Sequence, residues 1–467
     1  MKKKRATGHR FGSSSVGVMA MAALVTTGAS ASAGERGKLA LPTLDGGIPL
    51  IIGHRGLPGL YPEETLPSYE AAVAAGADSL EEDLHLTRDC VLVARHNPWL
   101  SDNTNVATVA LSNPEVAARK RTVPGTWVNV TYPLSTYGGP ARYLSDRADP
   151  GDPKSVLKSL VVDGQDHTND WSISDFTVAE LKRWFGGTTY DAADERPTEL
   201  NGKSPILTMQ EIIDLARARS AATGRTLTVY TETKNPYWNN AQAIANGCGT
   251  GQHALEDALL KLLIDNRMNS KEAPVFVQSF DPASLKYLRS VGLKTRVVQL
   301  IDGVDVDYAT GATLYGSDDD SNFIDGRPYS WTVAGDGRTF GDMLTPAGLA
   351  EVKTYADGIG PWKPQVMAMT VKPLRAANSD GSTPYKPKLA DVNTIVPTSV
   401  IADAHRAGLF VHVYTFRNEN KYLAGIFNGD PEAEFLCYFR AGVDGVFTDF
   451  AHTGVAARAR FLKEWGR

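Results

Sequence analysis

The chain has 467 residues, enough for two domains or for one large domain with insertions. Its 48 basic and 53 acidic residues give a net charge of −5, which disfavours nucleic acids and anionic membranes as partners bound by net charge alone. Beyond the N-terminal segment the sequence has no run of about 20 apolar residues, so we expect no stable membrane insertion.

The first 33 residues have the pattern of an export signal. Basic residues stand at positions 2–5 and 10, an apolar run extends from Val16 to Val25, and two A-x-A sequences end at Ala31 and Ala33. The apolar run is shorter than the roughly 20 residues that span a bilayer. We therefore expect cleavage near residue 31 or 33 and a secreted protein, extracellular or periplasmic, in which residues 34–467 form a single domain.

Short apolar strands alternate with segments of helical periodicity along the rest of the chain. The predicted strands are 50–53, 79–85, 227–233, 275–280, 295–300, 356–360, 410–415 and 445–449. The predicted helices are 66–75, 178–184, 209–218, 254–265, 282–290, 346–355, 399–407 and 433–441. Eight such units predict an α/β fold of the (β/α)8 barrel type. An open doubly wound sheet is the alternative, although no dinucleotide-binding G-x-G-x-x-G follows the first strand.

Three segments interrupt this alternation. A strand at 91–96 follows the strand at 79–85 after a turn too short for a helix, which predicts an antiparallel β-hairpin. The stretches 104–172 and 303–345 are rich in turn-forming residues and predict long loops with little regular structure. The first follows the returning hairpin strand and the second follows the fifth barrel strand, so both should frame the catalytic mouth of the barrel.

The chain contains three cysteines, Cys90, Cys248 and Cys437. They lie far apart and lack the close spacing of a zinc site. An odd number allows one disulfide at most, and the sequence alone does not determine which two cysteines would pair.

Charged side chains gather at the predicted hairpin. A four-residue turn at Thr87–Cys90 puts Glu81 opposite His96, with Asp83 on the same face as Glu81. Buried carboxylates are costly without a positive partner, and oxygen ligands favour Ca²⁺ or Mg²⁺ over zinc. Taken alone, however, a Glu-x-Asp strand is more often a solvated face.

Two further strand ends carry polar side chains. His54 and Arg55 end the first strand, where a barrel places its catalytic residues. The imidazole can exchange a proton near neutral pH, and the guanidinium matches a phosphate. Glu232 and Lys234 end the third parallel strand and point the same way, either as a cation ligand and a phosphate contact or as a simple salt bridge. Together, the three strand ends should bring these groups into one site.

A series of motifs runs through the chain in a characteristic order and spacing. The motifs are Ile52–Gly56, Tyr61–Pro67, Gly76–Asp78, Leu80–Leu84, Thr87–Asp89, Tyr230–Lys234, Gln278–Asp281, Val298–Ile301, Tyr355–Pro361, Val411–Arg417 and Gly445–Phe450. This series resembles the glycerophosphodiester phosphodiesterase family, most closely its large periplasmic or secreted bacterial class. The resemblance covers residues 50–102 and about 170–460. It implies a TIM-type barrel of the PLC-like phosphodiesterase kind.

The resemblance implies a hydrolase that converts glycerophosphodiesters into sn-glycerol 3-phosphate and an alcohol. His54 and His96 would be its general base and general acid. Glu81, Asp83 and Glu232 would bind one divalent cation, with Ca²⁺ favoured and Mg²⁺ as the alternative.

The resemblance also implies how the substrate is bound. Arg55 and Lys234 would hold the phosphate of a small glycerophosphodiester, and Glu63 would be a supporting carboxylate near the cation and the substrate. The sequence does not indicate the preferred alcohol or the oligomeric state. Two other functions remain open: a phospholipase acting on intact lipids, and a non-catalytic adhesin or binding protein on the same barrel.

The sequence departs from the family pattern at three positions. Asn97 stands where the family usually has Asp after the histidine, Glu64 replaces a commoner Asn or His, and Cys90 replaces a turn Gly. None of these changes removes a catalytic residue. Asn97 does affect His96, because a neutral neighbour raises the pKa of a histidine less than a carboxylate does.

Overall fold

Eight parallel strands form a closed barrel in the computed structural model of the protein. The strands are β1 Leu50–Gly53, β2 Ser79–Leu86, β3 Thr228–Thr233, β4 Val275–Ser279, β5 Arg296–Ile301, β6 Gly358–Pro361, β7 Phe410–Phe416 and β8 Gly445–Thr448. Each pairs with its neighbour in this order, and β1 pairs with both β2 and β8, which closes the barrel. The eight predicted strands and the (β/α)8 class are therefore confirmed.

The structure describes residues 40–122, 126–129, 148–149, 152–158, 160–167, 169–189, 196–249, 251–316, 323–373 and 386–467. The predicted export signal, 1–33, lies outside these residues. The longer helices are Leu66–Ala74, Val178–Trp184, Met209–Thr223, Pro236–Ala245, Ala254–Asp265, Pro282–Ser290, Pro346–Lys353, Val400–Arg406, Pro431–Ala441 and Ala451–Glu464. Within the described part of the chain, none has the length and apolar character needed to cross a bilayer.

Local sequence signals set the ends of several helices. Thr208 begins the helix Met209–Thr223 with a capping box. The Thr208 hydroxyl accepts from the Glu211 amide, and the Glu211 carboxylate accepts from the Thr208 amide. Gly224 ends the same helix in a left-handed conformation, at φ 67°. The eight predicted helices themselves were identified by their apolar periodicity.

Two long helices were not predicted, because polar or small residues take up much of their buried faces. Pro236–Ala245 buries Asn239, Asn240 and Gln242, which hides the apolar periodicity. Ala451–Glu464 buries mainly small residues. A Cβ atom added to its Gly454 would lie 3.1 Å from Phe435, so this helix packs closely because it lacks side-chain bulk there.

The interior of the barrel is filled by an apolar layer from five strands. Its buried members are Ile52, Tyr230, Phe276, Val298 and Phe447, with Tyr230 and Phe276 stacked at 4.6 Å between ring centroids. Side chains alternate along a strand, so the residue two positions further faces the same interior. On four of these strands that next inward residue is polar: His54, Glu232, Gln278 or Asp449. The apolar layer is thus the floor of a polar layer at the mouth.

The strand Leu92–Ala94 runs antiparallel to β2 in a hairpin, but the predicted register is wrong by one residue. Leu84 pairs with Ala94 and His85 with Val93, so Glu81 does not lie opposite His96, which follows the end of the strand. Cys90 adopts a positive φ of 67°, as the last residue of a three-residue hairpin turn does. The residue at that position is a cysteine where a glycine is usual, so the shorter turn was not predicted.

The described parts of the two insertions contain more regular structure than predicted. The first includes the helices Val106–Ala110 and Pro114–Ala117 and the strands Thr126–Asn129, Ala148–Asp149, Asp152–Lys158, Val161–Val162 and Gln165–Asp166. The second includes the strands Asp305–Asp307 and Ala312–Leu314 and the helices Tyr329–Ala334 and Phe340–Met343. These elements have two to seven residues, too few for a periodicity to show.

Further short elements connect the barrel units. They are the helix Lys363–Val366, the antiparallel strands Met367–Thr370 and Thr394–Pro397, and the 3₁₀ turns Ile173–Asp175, Ile324–Gly326, Leu389–Asp391, Asn420–Tyr422 and Gly425–Phe427. They leave the barrel strands and their order unchanged.

A disulfide joins Cys90 to Cys248 and leaves Cys437 as the free thiol. Cys90 lies in the hairpin turn after β2, and Cys248 lies just after the helix Pro236–Ala245 that follows β3. The bond therefore connects the extensions of two neighbouring barrel strands across 158 residues of sequence.

We expect the double variant Cys90→Ser/Cys248→Ser to lose about 2–5 kcal/mol of unfolding free energy, because the bridge closes a long loop in the unfolded chain. Urea unfolding of the oxidised protein and the variant measures the loss. Cys437→Ser is the matched control and should change the midpoint much less. Equal midpoints for the double variant and the oxidised wild type would contradict the expectation.

Candidate active site

Three carboxylates converge at the mouth of the barrel. Asp83 on β2 is paired in register with Glu232 on β3, and Glu81 lies two residues before Asp83 on the same face. One oxygen from each of the three lies within 4.8 Å of the other two, and all three side chains are buried. The three predicted cation ligands are therefore brought together.

Electrostatics makes this cluster unfavourable unless positive charge is added. Burial, reinforced by the charge of Asp83, raises the pKa of Glu81 well above its usual value. Burial also raises the pKa of Glu232, although Lys234 opposes the shift. The Asp83 carboxyl is buried too, but Lys234, His96 and Arg55 hold its pKa below the usual range. The site accommodates one negative charge and resists two more.

The chemistry of the donor set fits a divalent cation with oxygen ligands. Gln278 on β4 donates to Glu81 Oε1 at 3.1 Å, while its own Oε1 is buried and has no hydrogen-bond partner among the described residues. Three carboxylates and a nearby amide oxygen are the ligands that Ca²⁺ and Mg²⁺ prefer. The cluster could thus hold a metal ion.

Two basic side chains lie beside the carboxylates. The Arg55 amide donates to Glu81 Oε2 at 2.7 Å, and its Nε lies 3.2 Å from Asp83 Oδ2. Lys234 Nζ lies 3.3 Å from Glu232 Oε1 and 3.9 Å from Asp83 Oδ1. Arg55 has a positive φ of 52°, and this turn of the chain lets both its amide and its guanidinium face the cluster. Both cations can therefore contact an anion that approaches the cluster.

Glu63 contacts Arg55 and does not itself line the cavity. Its Oε2 accepts from Arg55 Nη1 at 2.9 Å and its Oε1 accepts from Asn103 Nδ2 at 2.7 Å, while the guanidinium of Arg95 donates to its backbone oxygen. These contacts hold the side chain of Glu63 in place, and Glu63 in turn fixes the Arg55 guanidinium.

His54 is held by a buried carboxylate. Its Nδ1 lies 2.6 Å from Asp449 Oδ1. Arg196 Nη2 and Arg417 Nε donate to the other oxygen of Asp449, at 2.8 and 2.9 Å. Burial and Arg55 lower the pKa of His54, while Asp449 opposes the shift. Asp449 therefore orients the imidazole and supports its charged form.

His96 lies beside Lys234. Its Nε2 lies 3.1 Å from Lys234 Nζ, and its Nδ1 lies 2.8 Å from Asn97 Oδ1. Burial lowers the pKa of His96 well below its usual value, and the charges of Arg55 and Lys234 add to the effect. Its backbone oxygen contacts His85 Nε2 at 3.2 Å, so the hairpin fixes its position although the predicted register was wrong.

A cavity of about 390 Å³ opens above the polar layer. Its lining includes His54, Arg55, Glu81, Asp83, His96, Glu232 and Lys234. The lining also includes the aromatic side chains of Phe280, Phe323, Phe340, Trp362 and Tyr414. The cavity can take a small ester with one charged end and one less polar end.

Both insertions reach the mouth in the described part of the chain. Gly303, Val304 and Tyr308 of the second insertion line the large cavity. Val162 and Asp163 of the first insertion line a smaller cavity, together with His96 and Lys234. Each insertion thus contributes to the surroundings of a candidate catalytic histidine.

Sequence reasoning missed several residues of the site. Asp449, Gln278 and Arg417 stand in motifs of the family series, so the signal was present but no role followed from it. Arg196 carried no signal, because it lies in an irregular segment and reaches Asp449 only through the fold. The eight predicted site residues do lie in or directly behind this one site.

The site and the fold agree with the similarity of the chain to known proteins. The sequence matches the glycerophosphoryl diester phosphodiesterase family over residues 54–324 and 342–453. It is 29% identical over 406 residues to a glycerophosphodiester phosphodiesterase of Arabidopsis thaliana, covering 86% of this chain and 84% of that one. The chain belongs to the glycerophosphodiester phosphodiesterase family and is an enzyme of that class, as its motifs predicted.

Further relatives are more distant. A glycerophosphodiester phosphodiesterase of Haemophilus influenzae is 25% identical over 425 residues, with 89% of this chain and 90% of that one covered. A phosphodiesterase structure from Oleispira antarctica, in complex with the product sn-glycerol-3-phosphate, aligns over 88% of this chain and 96% of its own. That alignment has 13% identity and a TM-score of 0.45, so the family assignment depends on the sequence matches.

We expect Asp449→Asn to lower kcat about 100-fold or more with little change in KM, because Asp449 orients His54 without lining the cavity. Steady-state kinetics on glycerophosphocholine measures the split. Asn is close in size, and circular dichroism of the variant shows whether the barrel is intact. A folded variant that retains the wild-type kcat would contradict the role of Asp449.

Proposed function

We propose that the protein hydrolyses glycerophosphodiesters to sn-glycerol 3-phosphate and an alcohol, using one divalent cation and two histidines. The observation that carries the proposal is the single cavity in which Glu81, Asp83 and Glu232 face Arg55 and Lys234. A phosphodiester brings one negative charge, and this cavity offers two basic side chains and a cation site to receive it.

The three carboxylates would hold Ca²⁺, with Mg²⁺ as the alternative. Resemblance to the periplasmic class favours Ca²⁺, and an all-oxygen donor set suits either ion. When bound, the cation neutralises charge on the phosphoryl oxygens. Arg55 contributes a planar pair of donors to the same group, and Lys234 contributes a point charge beside His96.

The two histidines would move the protons. His54, oriented by Asp449, removes the proton from the attacking oxygen as the new P–O bond forms. His96 gives a proton from Nε2 to the leaving alcohol as the old P–O bond breaks. The negative charge of the bound ester opposes the effect of Arg55 and Lys234 on His96, which helps that imidazole carry a proton.

We propose that the mature enzyme is secreted, to the periplasm or the cell exterior, as in the large bacterial class. Residues 1–33 have the pattern of a cleaved signal, and a structural disulfide between Cys90 and Cys248 suits an oxidising compartment. The substrate would be a small molecule in solution, with neither nucleic acid nor a membrane as a stable partner.

A phospholipase that acts on intact lipids is the second candidate. The aromatic wall of the cavity favours it, because Phe280, Phe323 and Trp362 could contact an apolar part of a substrate. A protein that only binds its ligand is less consistent with the site, since binding alone does not require two oriented histidines.

We expect EDTA, which removes both Ca²⁺ and Mg²⁺, to abolish choline release from glycerophosphocholine, and an excess of Ca²⁺ to restore it. Phosphatidylcholine vesicles, assayed in parallel, distinguish the lipid-directed alternative, and a protein that binds both but releases nothing is a binding protein. Undiminished turnover after exhaustive chelation would show that the cation is not required.

Cation binding should also appear in stability. We expect Ca²⁺ to raise the melting temperature of the wild type but not of Glu232→Gln, which lacks one ligand. Without Ca²⁺ the variant should be at least as stable as the wild type, because the raised pKa of Glu232 makes Gln similar to its protonated form. An equal Ca²⁺ shift in both proteins would exclude Glu232 as a ligand.

We expect His54→Ala and His96→Ala each to lower kcat by about 10²- to 10⁴-fold. A nitrophenyl ester has a good leaving group and hardly needs an acid, so His96→Ala should recover much of its rate on that substrate while His54→Ala should not. Equal losses of both variants on both substrates would contradict the acid and base assignment without affecting the cation site.

A further inference from the structure

A short chain of hydrogen bonds leads from His96 away from the cavity. His96 Nδ1 lies 2.8 Å from Asn97 Oδ1, and Asn97 Nδ2 lies 2.6 Å from Asp102 Oδ2. The indole Nε1 of Trp99 donates to the same oxygen of Asp102. Asn97 is buried, with 7% of its surface exposed, so water competes little for these bonds.

The carboxylate decides which way the amide of Asn97 points. A side-chain amide has one accepting end and one donating end, and either could face an imidazole nitrogen. A carboxylate only accepts, so the NH₂ group must face Asp102 and the oxygen must face His96. An amide oxygen also only accepts, and the proton of the neutral imidazole is therefore on Nδ1.

The other ring nitrogen gives the same answer independently. Lys234 Nζ, 3.1 Å from His96 Nε2, is an ammonium that can only donate. The Nδ1–H tautomer, which leaves a lone pair on Nε2 facing Lys234, fits this contact. Donor and acceptor assignments from both ends of the ring agree on one tautomer.

We propose that Asp102, acting through Asn97, is a positioning residue that keeps the proton of neutral His96 on Nδ1. The proposal rests on the proposed function, in which His96 Nε2 gives its proton to the leaving alcohol. After that transfer the imidazole is left as the Nδ1–H tautomer, which the Asn97 oxygen stabilises. A reversed amide would instead favour the proton on Nε2 and oppose the transfer.

The arrangement also accounts for Asn97 at a position where the family usually has Asp. A carboxylate directly beside the histidine fixes the tautomer by itself. Here the carboxylate is Asp102, one hydrogen bond further away. It accepts from Asn97 Nδ2 and so turns Asn97 Oδ1 toward His96 Nδ1. The first insertion supports it, since the ring of Trp99 stacks on His167 at 3.6 Å between centroids.

The test uses Asp102→Asn and the exchanged pair Asn97→Asp/Asp102→Asn. Asp102→Asn keeps the size of the side chain but allows the amide of Asn97 to turn, and we expect kcat on glycerophosphocholine to fall about 10- to 100-fold with KM little changed. The loss should largely disappear on the nitrophenyl ester. The exchanged pair puts a carboxylate directly on His96 Nδ1 and should recover most of the rate.

The matched control is Asp170→Asn. Asp170 accepts from the amides of Ser101 and Trp171 in the same loop, at 3.3 and 2.6 Å, without contacting Asn97. It should leave the leaving-group dependence of the rate unchanged. A drop of equal size in Asp170→Asn, or an exchanged pair no more active than Asp102→Asn, would reduce Asp102 to a general loop anchor and overturn the proposal.

A spectroscopic measurement does not depend on activity. In protein labelled with ¹⁵N-histidine, we expect the long-range NMR pattern of the His96 ring to show the Nδ1–H tautomer in the wild type and a shift toward Nε2–H in Asp102→Asn. A wild-type ring already in the Nε2–H form would overturn the proposal. If the tautomer is as expected but glycerophosphocholine is not cleaved, the proposed function fails while the positioning of His96 stands.

Discussion

The repulsion among three buried carboxylates is the constraint on which the rest of the site depends. Glu81, Asp83 and Glu232 share a space in which one negative charge is accommodated and further charges are opposed by burial. The three carboxylates stay close together, and Arg55 and Lys234 pack against them and offset part of their repulsion. These two basic groups are too few to neutralise the cluster and a substrate together, and so the arrangement calls for a cation.

The barrel provides the geometry through the alternation of its strands. An apolar residue that fills the interior is followed, two positions later, by a polar residue at the mouth, on β1, β3, β4 and β8. The packed apolar layer therefore holds the backbone that positions His54, Glu232, Gln278 and Asp449. His96 and Asn97 lie beyond the end of the hairpin strand, and their positions depend on the hairpin and on contacts with the loop that follows it.

The sequence predicted what is local or repetitive and failed where a contact is distant. The eight strands and the residues at their ends follow from short apolar runs and from strand alternation. The hairpin register did not, because Cys90 takes a backbone conformation that usually indicates glycine. Two carboxylates behind the histidines were not assigned either: Asp449 is 395 residues from His54, and Asp102 reaches His96 only through the side chain of Asn97. Helices that bury Asn or Gly in place of Leu were missed because a periodicity is recognised only from large apolar side chains.

The Cys90–Cys248 bond changes the effective distance along the chain between two carboxylates of the cluster. Through the peptide backbone, Asp83 and Glu232 are separated by well over a hundred residues. Through the bridge, the path runs from the end of β2 to the helix after β3 and is roughly two dozen residues long. By loop-closure entropy, the shorter path favours the meeting of these two carboxylates by about 1.5 kcal/mol in a loosened barrel. The redox state of the surroundings is thereby coupled to how readily the carboxylate cluster reassembles.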